Sequence, residues 1–384
     1  MTDAPVRSIC RLCNLLLPQE PIMVLKNVPP QIQYFPTEAE LATDRGSDLV
    51  AYQCQSCGHI QLNSPPVVYR QGVTSTTIYS KHMLTGRREQ VKDFIDAHAL
   101  GGKRVLDVGC GDGHLLGILG ELGADAIGVD ASEVALGIAR QHNYRVHQVY
   151  ITHDVVIPDG PFDGFVCYDV IEHVPDIRDF LQGITHNVVT GGVGLIETPS
   201  FEKVIETNRF YDFMQDHLSY FTVDTLRLAC ELSGFDVLHI ERNRDEENLT
   251  VIVQKRRLPN FGIMRAHQAK LMEQVAQFIG EQRASGRRVA IWGASLQTLT
   301  LSSLMKLDVA YIIDSAPYKQ NHFTPVSHLP IVSPQTLHND PVDVVIINAP
   351  RYENEIIEQI QRDQAFKGTV AVLKGDGLTL LSGS

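Results

Sequence analysis

Residues 101–132 read GGKRVLDVGCGDGHLLGILGELGADAIGVDAS, and their order decides the fold. RVLDVG is a short apolar, β-forming run and GCGDG is a glycine turn. HLLGILGEL has apolar residues at helical spacing, and AIGVD is a second apolar run that ends on an acid. Strand, turn, helix and strand make one βαβ unit. Gly109, Gly111 and Gly113 let the backbone approach a ligand at the start of the helix. Asp130, at the end of the second strand, is placed to accept hydrogen bonds from ribose hydroxyls.

The pattern returns in the last third of the chain. From about Pro259 a helical run leads into VAIWG, a small-residue turn GASLQT, a helix, and a strand ending at Asp314. A third strand, DVVIINAP, reaches Asn348 and precedes the helical YENEIIEQIQ. The strand ends around Gly293, Ala294, Ser295, Asp314 and Asn348 are where an open α/β sheet takes a ligand. The alternative is a domain that only packs or dimerises.

Ahead of both units stand two cysteine pairs, Cys10 and Cys13 in CRLC and Cys54 and Cys57 in CQSCGH. Two residues between paired thiolates allow both sulfurs to reach one tetrahedral ion, and Gly58 permits the tight turn. Four thiolates fill the coordination sphere of zinc and leave no place for a reactive water, so the expected metal is structural. A redox CxxC is the competing reading, and it explains one pair only. Cys110, Cys167 and Cys230 lie in or beside apolar runs and read as packing residues.

With 384 residues, 43% of them hydrophobic, the chain can bury two or three ordinary cores. A formal net charge of -12 gives a nucleic-acid backbone no general attraction, so a nucleic-acid polymer is not an expected partner. There is no secretory leader pattern and no apolar run of bilayer length, so the expected location is cytoplasmic, without a membrane partner.

The GxGxG spacing with Asp107 before it resembles the first motif of class I S-adenosylmethionine-dependent methyltransferases, and differs from the GxGxxG of NAD enzymes. PFDGFVCYDVIEHVPD, which holds Asp169, Glu172 and His173, resembles the segment these enzymes set beside the methionine part of the cofactor, and GGVGLIETPS resembles their next strand. Glu172 and His173 are an acid/base pair or, as in the resembling enzymes, residues that shape the cofactor pocket.

The whole order resembles the sugar C-methyltransferases that act on nucleotide-linked 4-keto-deoxyhexoses in antibiotic and surface-glycan pathways. ETNRFYDFMQDHLSYFT stands where that family has EN..FD followed by YHEHLSYFS. The resemblance implies that His217 is the base, with Asp216 in place of a Glu and Met214 in place of a Tyr. Tyr211 and Tyr220 are the candidates for the missing phenol. An imidazole titrates near neutrality and suits proton abstraction beside a ketone; a structural histidine is the alternative.

IWGASLQT resembles the family's GYGAAAKG, with Gln297 for Lys, and IIDSAPYKQNHFTP, which carries Lys319, resembles its next strand. In the family this domain holds the nucleotide. The expected architecture is therefore α/β in three parts: a small zinc-binding domain (1–66), a Rossmann-like class I methyltransferase domain (67–257) and a second Rossmann-like domain (258–384). The expected cofactors are S-adenosylmethionine and structural zinc, the expected substrate is a nucleotide-linked sugar, and the assembly is a monomer or homodimer. An O- or N-methyltransferase on another small acceptor, or a non-catalytic zinc and cofactor binder, are the alternatives.

Overall fold

The computed structural model describes residues 9–30, 35–67, 81–362, 366–375 and 377–381. The proposed boundary at 66/67 adjoins residues 68–80, which lie outside the described residues. The chain divides into two compact units, residues 1–257 and 258–384.

The centre of the first unit is a seven-stranded sheet. Its spatial order is Phe235–Asn243, Asn248–Lys255, Val188–Pro199, Phe162–Tyr168, Arg104–Val108, Asp125–Asp130, Val146–Gln148. The five strands from Val188–Pro199 to Val146–Gln148 run parallel, while Asn248–Lys255 pairs antiparallel with both neighbours. The order reverses between Arg104–Val108 and Phe162–Tyr168, which opens a crevice at their carboxyl ends. Both sheet faces are covered, so the strands read as near-continuous apolar runs: Leu106, Val108, Ile127, Val129, Phe165 and Ile196 are all buried in one core. The helix His114–Glu121 starts at Gly113, whose φ of 89° is left-handed; a Cβ there would meet the Tyr144 ring at 2.6 Å.

The cysteine-bearing segment builds a four-stranded antiparallel sheet in the order Met23–Val28, Ser47–Gln53, Ile60–Leu62, Ser219–Tyr220. Its last strand comes from the segment that carries His217. The register pairs Ile60 with Tyr220 and Gln61 with Ser219. A core of Leu49, Ala51, Ile60, Leu62, Phe201, Val204, Phe213 and Tyr220 joins that sheet to residues 201–220.

The second unit begins with the helix Phe261–Ala284 and holds its own seven-stranded sheet. The order is His322–Phe323, Pro330–Val332, Ile312–Ile313, Val289–Trp292, Val344–Ile347, Thr369–Lys374, Gly377–Leu380. The five inner strands are parallel and each edge strand is antiparallel to its neighbour. No helix among the described residues is long and apolar enough to cross a membrane.

Candidate functional site

The crevice of the first unit is a cavity of about 450 Å³. Asp107, Gly109, Gly111, Asp130, Asp169 and His173 line it, so six of the eight cofactor candidates converge there. The other two lie behind its wall: Gly113 begins the helix, and Glu172 is buried, with its Oε2 accepting from Thr198 Oγ1 at 3.0 Å. Asp130 organises the glycine turn: one carboxylate oxygen accepts from Gly111 N at 3.0 Å, the other from Ser132 N at 2.7 Å. Each oxygen keeps a lone pair for a diol.

Asp107 is 2% exposed, and its Oδ2 has no hydrogen-bond partner among the described residues. Burial, reinforced by Asp130, pushes its carboxyl up to about 8. A buried acid of this kind at the cavity wall calls for a donor or a cation. S-adenosylmethionine, which has an ammonium, a sulfonium and a ribose diol, fits both Asp107 and Asp130.

Sequence reasoning missed Arg87, on the helix Lys81–Ala97. Its guanidinium reaches Asp169 Oδ2 at 3.2 Å and Glu197 Oε1 at 3.1 Å, and stands 4.2 Å from the Tyr168 ring centre. Glu197 is fully buried, and also meets Arg244 Nη1 at 2.8 Å, Gln90 Nε2 at 3.0 Å and Thr250 Oγ1 at 3.1 Å. This network ties the helix to the ends of two central strands and holds the Asp169 carboxylate at the cavity. Nothing in GRREQ marks one arginine for this task.

His217 lies beside the cavity wall, its ring edge-on to His173 with centroids 4.8 Å apart. Residues 213–222 are not helical; a turn closed by His217 N to Met214 O at 3.2 Å leads into Ser219–Tyr220. Burial, with His173 adding to it, holds the His217 imidazole down to about 3, so the ring is neutral at physiological pH. Asp216 acts on the other ring: its backbone oxygen accepts from His173 Nδ1 at 2.8 Å, and its carboxylate raises the His173 pKa against the larger, lowering effect of burial. Ligand-type atoms of Glu172, His173 and His217 lie within 4.8 Å of one another. Burial first, then Asp169, pushes Glu172 up to about 8.

The two phenol candidates stand in different settings. The Tyr220 hydroxyl donates to Met214 O and accepts from Met214 N, both at 3.0 Å, so it braces the turn and has no donor left for an acceptor molecule. Tyr211 is exposed on the short helix Phe210–Asp212.

Cys10, Cys13, Cys54 and Cys57 converge, with Sγ pairs Cys10–Cys57 and Cys13–Cys54 each 3.6 Å apart. Zn–S bonds of ~2.3 Å in a tetrahedron give sulfur–sulfur edges of roughly 3.8 Å, so the four sulfurs fit such an ion.

In the second unit, all six candidates gather at the carboxyl ends of the central strands. Asp314 Oδ2 accepts from Ala294 N and from Lys319 Nζ, each at 2.9 Å, and Lys319 also donates to Ala294 O at 3.0 Å. Ser295 caps the helix Leu296–Leu304 and donates to Asn348 O at 3.1 Å. Gly293 has φ 114°, and a Cβ there would lie 2.9 Å from Asn348 O, so the position needs glycine. Gln297 is exposed.

Two family models match the chain: a methyltransferase domain over residues 83–240 and a C-methyltransferase C-terminal domain over residues 239–373. Ubiquinone biosynthesis O-methyltransferase of Aromatoleum aromaticum is 39% identical over 26% of this chain and 46% of that protein. Its counterpart in Paraburkholderia phymatum is 40% identical over the same shares. The chain thus spans about half the length of the curated relatives it matches. Among solved structures, the PH0226 protein of Pyrococcus horikoshii OT3 covers 49% of this chain and 98% of its own, at 17% identity and a TM-score of 0.41. Matched domains and site together support an S-adenosylmethionine-dependent methyltransferase.

Proposed function

We propose that the protein is a C-methyltransferase that places a methyl group on a carbon next to the ketone of a nucleotide-linked keto-deoxysugar. The observation that carries this reading is the His173–His217 pair: one ring lines the cofactor cavity and the other, neutral, abuts it. The C-methyltransferase C-terminal domain supports the carbon acceptor. When bound, S-adenosylmethionine supplies a sulfonium-activated methyl group. Asp107 and Asp130 hold it, with Gly109, Gly111, Gly113, Asp169 and Glu172 shaping the pocket.

His217 takes the proton from the acceptor carbon as the C–H electron pair moves toward the ketone oxygen. The developing enolate raises the basicity that burial suppresses in the free protein. His173 has its Nδ1 committed to Asp216 O. Asp216 thereby sets the His173 tautomer and, through the turn, the place of His217. In the second unit, Gly293, Ala294, Ser295, Asp314, Lys319 and Asn348 are read as the nucleotide site, with Lys319 turning from Asp314 to a phosphate. Cys10, Cys13, Cys54 and Cys57 are read as a structural zinc site, and the protein as cytoplasmic and organised as 1–66, 67–257 and 258–384.

A second reading, an O- or N-methyltransferase on a small acceptor, is favoured by the committed Tyr220 hydroxyl and by Met214 where the resembling family has Tyr. Such a transfer needs a base but no enolate donor. The deciding experiment starts with thermal stabilisation by nucleoside diphosphates and nucleotide sugars in the presence of S-adenosylhomocysteine. Deuterium exchange at the carbon next to the ketone of any sugar that binds then separates the readings. Enzyme-dependent exchange supports carbon methylation; stabilisation by no nucleotide, beside a clear S-adenosylhomocysteine shift, refutes the nucleotide-sugar substrate.

A further inference from the structure

Arg11 lies between Cys10 and Cys13, yet its side chain leaves the cysteine knuckle and ends among three backbone carbonyls. Nη1 donates to Pro175 O at 2.7 Å, Nη2 donates to Ser64 O at 2.8 Å, and Nη2 and Nε both approach Leu62 O at 3.4 Å. Pro175 is two residues beyond His173 and lines the cofactor cavity. Leu62 donates its own N–H to Leu218 O at 3.0 Å, and Leu218 follows His217. One guanidinium therefore holds the His173 segment directly, at Pro175, and reaches the His217 segment through one intermediary, Leu62.

The His173 Nδ1 bond to Asp216 O at 2.8 Å completes a ring. The path runs from Arg11 to Pro175 and His173, across to Asp216, along to Leu218, over to Leu62 and back to Arg11. The base of the arginine is fixed as well. Arg11 N donates to Gln61 Oε1 at 2.6 Å and Gln61 Nε2 returns to Ile9 O at 3.2 Å, while Gln61, 2% exposed, is registered against Ser219. A planar guanidinium with five donors in a fixed fork can span carbonyls from different segments, and a lysine ammonium is a single point.

We propose that Arg11 is a positioning residue of the acceptor site: from within the cysteine knuckle it sets how His173 and His217 meet, while Asp107 and Asp130 on the cofactor side are not among its hydrogen-bond partners. The proposal rests on reading that pair as the acceptor site.

The test uses the full chain purified with its metal, as wild type, Arg11→Met and Arg11→Lys. Metal content, S-adenosylhomocysteine affinity by calorimetry and the imidazole proton resonances of His173 and His217 are measured. The resonances are assigned by their loss in His173→Gln and His217→Gln. In Arg11→Met the metal and the S-adenosylhomocysteine affinity are expected to stay, while both resonances lose the ring-current shift of their edge-on contact. Arg11→Lys is expected to restore part of that shift. Unmoved resonances in Arg11→Met overturn the proposal. If Arg11→Met loses its metal or unfolds, Arg11→Lys decides in the same way: resonances moved with metal retained support the proposal, unmoved ones overturn it. Failure of the wild type to bind S-adenosylhomocysteine would overturn the methyltransferase reading, while the resonances still decide the role of Arg11.

Discussion

The Nδ1 of His173 lies 2.8 Å from the backbone oxygen of Asp216. A carbonyl can only accept, so Nδ1 carries the proton, and the other ring nitrogen, Nε2, stands 4.0 Å from Glu172 Oε1. The tautomer of one histidine is thereby written by the residue that precedes the other.

His217→Ala should lower methyl transfer by roughly 100- to 10,000-fold, the usual contribution of a positioned base. S-adenosylhomocysteine affinity should stay unchanged, because His217 does not line the cavity. Single-turnover rates and calorimetry with the acceptor found by thermal stabilisation check this. A parallel loss of cofactor affinity would make the residue structural.

The same group sets an acid limb. Its pKa is depressed from 6.5 to about 3 by burial. In unfolding, that contribution to stability is fully present above 6.5 and is lost as pH falls from there toward 3. In catalysis, the kcat/KM profile of the free enzyme should keep its base deprotonated well below pH 6. A limb at an ordinary histidine pKa would remove His217 from the role of base.

Asp107 titrates with the opposite sign. Its folded pKa is raised from 3.8 to about 8, so its contribution is complete below 3.8 and is lost as pH rises through about 8. Without cofactor, Asp107→Asn should therefore flatten the decline of stability between pH 4 and 8, as read by urea unfolding. It should also weaken S-adenosylhomocysteine binding, by about tenfold if one charge-assisted hydrogen bond is lost. Unchanged affinity would place the cofactor's cationic end elsewhere.

Glu197→Gln removes the charge on which Arg87 and Arg244 converge. Breaking a buried ion cluster on one side costs about 3–5 kcal/mol, and chemical denaturation should register a loss of that order. A cost under ~1 kcal/mol would mean that the remaining hydrogen bonds of the site suffice.

Cys13→Ser should abolish stoichiometric zinc and lower the melting temperature by roughly 5 °C or more, as expected when a metal clip of a few kcal/mol is lost from a domain of this size. Metal analysis and calorimetry read both. Full zinc occupancy in the variant would rule out the four-thiolate site.

The two βαβ patterns and both cysteine pairs could be read from the sequence because each is local: a glycine turn between apolar runs, or two thiolates three positions apart. Asp130 was legible for the same reason, whereas Asp107 and His173 stood out only through the resemblance of their segments to methyltransferase motifs. Arg87 was not, since its partners Asp169 and Glu197 are 82 and 110 residues away and no spacing announces them. Nor was the state of Tyr220, because only the turn that carries Met214 decides whether that hydroxyl is free. The strand Ser219–Tyr220 has two residues, too few to show any alternation.

That short strand has a consequence for the order of assembly. It completes a sheet whose other three strands end at Leu62, so more than 150 residues are made before its partner for Ile60 and Gln61 leaves the ribosome. The sheet built by the cysteine-bearing segment is thus finished only once Ser219 and Tyr220 have been made. A nascent chain halted before Ser219 would present Ile60–Leu62 as an open edge.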